Sequence, residues 1–241
     1  RQARRIAFLV LVLLLLVPFL LYWAARPLGE DFATAVALMM ALPAGMTIAP
    51  RADILGGNTA LALLFTALTH LLLPFTLALL FLATGIRAQV SVPDLFLSVA
   101  GIVLLPFAAA QLARRFFPAP LRRLQPGLTA FNVLVISFLI VPLAASGVPA
   151  VVLADPGRLL FALIFWALLA FVLMLVGLHV PGYQDKAERV TLGLVFYHRN
   201  TALGIVIASL YLSPAVFLLC MGFQLILNAL MVPFTWLIDR L

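Results

Sequence analysis

Residues 42–58 read Leu42-Pro43-Ala44-Gly45-Met46-Thr47-Ile48-Ala49-Pro50-Arg51-Ala52-Asp53-Ile54-Leu55-Gly56-Gly57-Asn58, and all but the last two lie in an apolar stretch, 32–56, of the length a membrane helix needs. Pro43 and Pro50 each remove a backbone donor, and Gly45 weakens whatever helix remains between them. A helix interrupted at this depth frees backbone groups that protein or water has to satisfy. Either a kink that lets neighbouring helices pack or a functional site accounts for it.

The surroundings decide the solvent. Of the 241 residues 66% are apolar and only 10% are charged, against roughly a quarter in an ordinary globular domain. The charges fall in short islands between long apolar runs, the pattern of a chain whose main solvent is lipid. The net charge of +7 is therefore no argument for nucleic acid. The single cysteine, Cys220, sits inside an apolar run, which excludes a disulfide within the chain and a cysteine-rich metal site.

Apolar stretches of about 20 residues give eight candidate spans, at 6–25, 32–56, 58–84, 92–113, 127–147, 157–180, 190–212 and 214–238. The first is long for a signal-peptide core and reads as a spanning helix. With the N-terminus on the cytoplasmic side, eleven basic residues fall inside (Arg1, Arg4, Arg5, Arg51, Arg114, Arg115, Arg122, Arg123, Lys186, Arg189, Arg240) and three outside (Arg26, Arg87, Arg158). That asymmetry obeys the positive-inside rule provided the interrupted stretch really crosses. The expected localisation is the plasma (inner) membrane, multi-pass, with the Arg114–Arg123 loop cytoplasmic. The expected organisation is one transporter-type domain over 1–241, divided into 1–113, a cytoplasmic loop at 114–126, and 127–241.

Polar residues inside spans are expensive and are functional candidates by default. Besides the 43–50 interruption, Tyr197-His198-Arg199-Asn200-Thr201 lies inside the stretch 190–212. A guanidinium there needs a carboxylate, a ring of carbonyls or a watery cavity, unless Arg199 snorkels to the boundary. Thr66, Thr69 and His70 form a third group. Thr66 and His70 are four apart and share a helix face, where they either line a cavity or hold helices together. His70 and His198 are the candidates for proton coupling. His179, beside Pro181-Gly182, reads as interfacial. There is no carboxylate pair in a span, no Ser/His/Asp set and no metal-ligand spacing, so hydrolytic or metal catalysis has no residues to run on. Two interrupted spans in corresponding halves are a sequence pointer to a transporter site.

The run from Pro43 to Leu82 resembles the bile acid:sodium symporter superfamily. Pro43, Gly45, Gly57, Asn58, Ala60, Leu61, Thr66 and Pro74 match its first crossing region, and Phe196–Gly204 is similar to its second. The resemblance implies an all-α, ten-helix inverted-repeat transporter with two discontinuous, crossing helices, about eight spans of it present and two preceding Arg1. The same alignment puts Ile48 and Ala49 where the family has Ser-Asn, Val195 where it has a sodium-binding Glu, Arg199 where it has Gln, and Ala62 where it has a serine ligand. Thr66 keeps its identity. The implied cation cage is largely gone, since sodium favours several hard oxygens. The candidate site is thus Thr47, Ile48, Ala49, Thr66, Val195, His198, Arg199 and Asn200. Its expected partners are a small organic anion and the lipid bilayer, with no cofactor and an altered or absent sodium dependence. Two alternatives stay open: an arsenite or metalloid efflux permease on the same scaffold, although the cysteine that distinguishes those permeases is replaced in the Ala44-Gly45 stretch, and a non-transporting membrane sensor or structural subunit.

Overall fold

The computed structural model describes residues 2–117, 156–238 and 240, and every described element is helical. In chain order these are α1 (Gln2–Leu11), a π-helical turn (Val12–Leu16), α2 (Val17–Ala25) and a 3₁₀ turn (Arg26–Leu28), then α3 (Glu30–Ala41), α4 (Ile48–Ile54), α5 (Thr59–Thr84) and α6 (Val92–Phe116). After the undescribed stretch come α7 (Pro156–Leu178), α8 (Lys186–Tyr197), α9 (Thr201–Tyr211), α10 (Pro214–Ala229) and α11 (Met231–Ile238).

The expectation of eight spans in a ten-helix fold is corrected here. Five helices among the described residues are long and apolar enough to cross a membrane: Ala3–Leu28, Thr59–Thr84, Val92–Ala110, Leu159–Leu178 and Pro214–Ile238. Hydropathy alone counts the stretches 32–56 and 190–212 as spans. Each is instead two short helices, α3 with α4 and α8 with α9, neither half long enough to cross alone. The stretch 127–147, and the loop from residue 118 onward, lie outside the described residues.

The breaks have local causes. Leu42 precedes Pro43 and takes an extended conformation (φ −62°, ψ 151°), as a residue before proline does, so α3 stops there. Pro50 falls in the first turn of α4, where the missing donor is no loss. No proline or glycine ends α8. The chain turns extended at His198, and the Asn200 side chain caps α9 by accepting from Leu203 N at 3.4 Å. The long helices start on similar caps, with Asn58 accepting from Leu61 N at 3.0 Å, and α5 ends on Gly85 in the left-handed region (φ 71°).

The first halves of the broken pairs form the centre. Every residue from Phe32 to Ala41 of α3 and from Val190 to Tyr197 of α8 is buried, the mark of helices wrapped on all sides by protein. Around them pack α2, α5, α7 and α10, and the outer surface carries Phe8, Leu79, Leu105, Leu168, Leu225 and similar large apolar side chains. An outer surface of that kind is at home in hydrocarbon.

Hydrogen bonds between loops sort the chain ends into two groups. On one end Arg5 Nη1 donates to Gly182 O (3.2 Å), and Asn58 N to Ala187 O (3.1 Å). On the other, Gln89 N donates to Tyr211 O (2.8 Å) and Ser213 Oγ to Asp31 Oδ1 (2.7 Å). Each broken pair therefore carries the chain from one end of the bundle to the other, α3–α4 in one direction and α8–α9 in the opposite one. Aromatic and basic side chains pair at both ends. Arg26 donates to Tyr22 Oη (2.9 Å), and the Arg240 guanidinium lies 3.6 Å from the Trp236 ring centre. Such pairs favour the membrane–water boundary.

Candidate functional site

The two breaks meet. Ala44 and Arg199 face each other as an antiparallel bridge, flanked by Gly45 N donating to His198 O and Asn200 N donating to Pro43 O, both at 2.9 Å. Those two bonds satisfy groups that the helix breaks freed, which is why extended chain survives at this depth. The outward N–H of Ala44 donates to Thr69 Oγ1 of α5 (3.0 Å). Contact this close requires Gly45. A Cβ there would stand 2.7 Å from His198 Cδ2 and 3.3 Å from His198 O.

Two polar chains leave the bridge. On one side Arg51 Nη1, which can only donate, approaches His198 Nδ1 at 3.3 Å. His198 is thereby fixed as an acceptor at Nδ1 and a donor at Nε2, toward Thr47 Oγ1 at 3.0 Å. On the other side His70 Nδ1 donates to Thr66 O (2.7 Å), which leaves His70 Nε2 to accept from Asn200 Nδ2 at 3.1 Å. Asn200 thus spends its nitrogen on His70 and its oxygen on the α9 cap. The Thr66 hydroxyl donates to its own helix at Ala62 O (2.9 Å).

The bridge residue between His198 and Asn200 in the chain is Arg199. It is 1% exposed, and its Nε, Nη1 and Nη2 have no hydrogen-bond partner among the described residues. A buried guanidinium without a partner is several kcal/mol less stable than the same group in water, in order-of-magnitude terms.

Of the candidates named from the sequence, the structure brings together Thr47 with His198, Thr66 with His70, and His70 with Asn200, while Arg199 stands in the bridge between His198 and Asn200. Ile48, Ala49 and Val195 are buried apolar side chains that contribute shape and no polar atom. The sequence reading uses Arg51 only as a basic residue in the topology count. Its spacing of four from Thr47 is the available signal that both face one way. Sequence groups Thr69 with Thr66 and His70, whereas its actual use, accepting from Ala44 N, depends on a contact 25 residues away that no local pattern reveals.

The model of the Sodium Bile acid symporter family matches residues 2–154, more than half of the chain. The chain belongs to the Sodium Bile acid symporter family. It is a family of secondary transporters and not of enzymes, and the five long apolar helices fit a polytopic membrane protein of that kind. No curated protein matches the chain. The matched region contains the first break, whereas the second break, with Arg199, lies beyond it.

The sodium ion in the family's name can be tested against the residues present. Ile48, Ala49, Ala62 and Val195 offer no side-chain oxygen, and the Thr66 hydroxyl is turned to a backbone carbonyl. Among the described residues no group of three His, Cys, Asp or Glu side chains converges to hold a cation. Arg199, a fixed cation, stands in the same crossing. The positions that the resemblance assigns to the cage therefore supply no set of several hard oxygens around a single point, which a sodium cage needs.

Proposed function

We propose that this symporter-family chain carries a small organic anion across the membrane, binds it at the Arg199 guanidinium, and does so without sodium. The observation that carries this reading is the burial of Arg199 with all three guanidinium nitrogens unpartnered among the described residues. A planar fork of donors suits a carboxylate or a similar oxyanion, and the start of α9 beside it adds the positive end of a helix dipole. A bound anion would both neutralise the guanidinium and fill its hydrogen bonds, so the crossing favours such a ligand strongly.

Two further features support a carrier. The order of elements Ala3–Leu28, α3–α4, α5 recurs as α7, α8–α9, α10–α11, with the broken pairs running in opposite directions, and this supports an inverted repeat. The end of the bundle holding Arg5, Arg51, Lys186 and Arg189 is the more basic one, which supports placing it in the cytoplasm of a cell whose plasma membrane holds the protein.

The test is thermal melting of the purified protein with small carboxylates and sulfonates, benzoate among them, in sodium and in choline buffer. A ligand that binds only the native state raises Tm, by an amount equivalent to about 2.7 kcal/mol at a hundredfold excess over Kd. The expected result is equal stabilisation in the two buffers and none in Arg199→Gln. Stabilisation that requires sodium and survives the substitution overturns the reading.

A further inference from the structure

Besides the fixed charge of Arg199, the crossing holds a group whose charge is open to change, His70. The hydrogen bonds of His70 leave a single atom able to take a proton. Nδ1 already carries one, held by Thr66 O, while Nε2 accepts from Asn200 Nδ2. His198 lacks this freedom, because its acceptor nitrogen is held against the Arg51 guanidinium, a donor that cannot turn into an acceptor as the Asn200 amide can. The His70 ring is half-buried, and its side-chain partner among the described residues is Asn200 of the second broken pair.

We propose that Nε2 of His70 is a proton-binding site whose occupancy is read at the crossing by Asn200. A proton arriving from water turns Nε2 from acceptor into donor, and two donors then face each other across 3.1 Å. Rotation of the Asn200 amide by half a turn restores that bond, with Oδ1 accepting from His70, but Nδ2 then faces Leu203 N and the cap of α9 is lost. Histidinium and an uncapped helix N-terminus both add positive charge beside Arg199, the next residue in the chain to Asn200. The site therefore binds an anion more tightly when His70 is protonated, and by linkage a bound anion raises the proton affinity of His70 by the same factor.

The other charged and titratable groups around α5 do not substitute for His70 in this role. The helix itself holds no other ionisable residue. Of the other elements packed on it, α1 carries Arg4 and Arg5, α2 carries Tyr22, and α3 carries Glu30 and Asp31 in its first turn, while His198 and Arg199 stand at the second break. Arg51 and Asp53 belong to α4, and the charged residues of α6 and α8 lie in the end turns of those helices.

The last link of the proposal rests on the anion reading of Arg199, and the experiment separates the two. The chain has three histidines, so selective ¹⁵N-histidine and ¹⁵N-asparagine labelling of the full chain in detergent gives resonances that single substitutions assign. At about pH 8 His70 is expected as the Nδ1–H tautomer and His198 as the Nε2–H tautomer. On acidification His70 gains a second proton and the Asn200 amide moves with the same midpoint. Saturating benzoate shifts that midpoint upward by fivefold or more in proton affinity, about the lower end of typical coupling, and Asn200→Ala or Arg199→Gln removes the shift. A His70 that keeps a single proton down to about pH 5, or that titrates with the Asn200 amide unmoved, overturns the proton site. Benzoate that binds through Arg199 and leaves the His70 midpoint in place overturns the coupling. If benzoate binds at no pH the anion reading fails together with the last link, and the titration still decides the switch.

Discussion

Arg199 sets stability against function in one side chain. Its nitrogens lack partners among the described residues while the residue is 1% exposed, so the native state without ligand holds a group that would be better solvated in the unfolded chain. Arg199→Met keeps the length and apolar stem of the side chain and removes the charge. The ligand-free protein is then expected to gain about 1–4 kcal/mol, the range in which apolar replacements of buried ionic groups fall. Its Tm should rise in scanning calorimetry while its response to carboxylates disappears. A variant that melts lower than wild type would mean that the guanidinium is already satisfied by the protein. The oddity of an arginine about ten residues into an apolar stretch is legible without a structure, because a permanent charge in such a place always needs explaining. The lack of a partner among the described residues is not legible, since in sequence any carboxylate or carbonyl elsewhere in the chain is free to supply one.

At the scale of elements the broken pairs depend on backbones coming close. Gly177 of α7 packs on α8 so tightly that a Cβ would lie 2.5 Å from Leu192 O and 2.8 Å from Gly193 Cα, and main chain cannot swing aside. Gly177→Ala is expected to force α7 from α8 and to destabilise by about 1–3 kcal/mol, the usual result of overpacking. Gly193→Ala, whose Cβ would meet the side-chain ends of Leu178 and Phe234 at 2.9 and 3.0 Å, should lower Tm by less. Equal losses would mean that the backbone contact is not the limiting one. Element boundaries are uneven in their legibility. Pro43 and Gly45 announce the first break through local chemistry, and the long helices follow their apolar runs. The second break sits at His198 with no helix breaker, so hydropathy reads residues 190–212 as one span. What holds it open is the bridge to Ala44, a contact between residues 155 apart that periodicity does not encode. The capping amide of Asn200 is visible as a residue type that favours such positions, but its second bond to His70 is not.

On the whole molecule, the loop contacts and the charge asymmetry agree on two ends, and together they make sidedness testable. The end that gathers Arg5, Gly182, Asn58 and Ala187 carries the larger share of basic residues, whereas Arg26 and Arg87 belong to the end that gathers Asp31, Gln89 and Ser213. Cys220 is fully buried, so Cys220→Ser gives a thiol-free background without touching the surface. Single cysteines at Arg5, Lys186, Arg26 and Arg87 can then be exposed to a membrane-impermeant maleimide. In intact cells Arg26→Cys and Arg87→Cys are expected to label, and Arg5→Cys and Lys186→Cys only after the membrane is opened. The two members of each pair must behave alike whatever the orientation, because hydrogen bonds tie their loops to a common end. A split within a pair would contradict the fold, and a clean reversal would contradict only the positive-inside assignment. The distinction matters for the mechanism. In the orientation proposed above α5 would run from a cytoplasmic start at Thr59 toward the far side, with Thr47 and Arg51 on the cytoplasmic side of the bridge with His198. An anion entering from that side would meet the Arg51 guanidinium before the buried Arg199, whereas the proton site at His70 lies across the bridge from it.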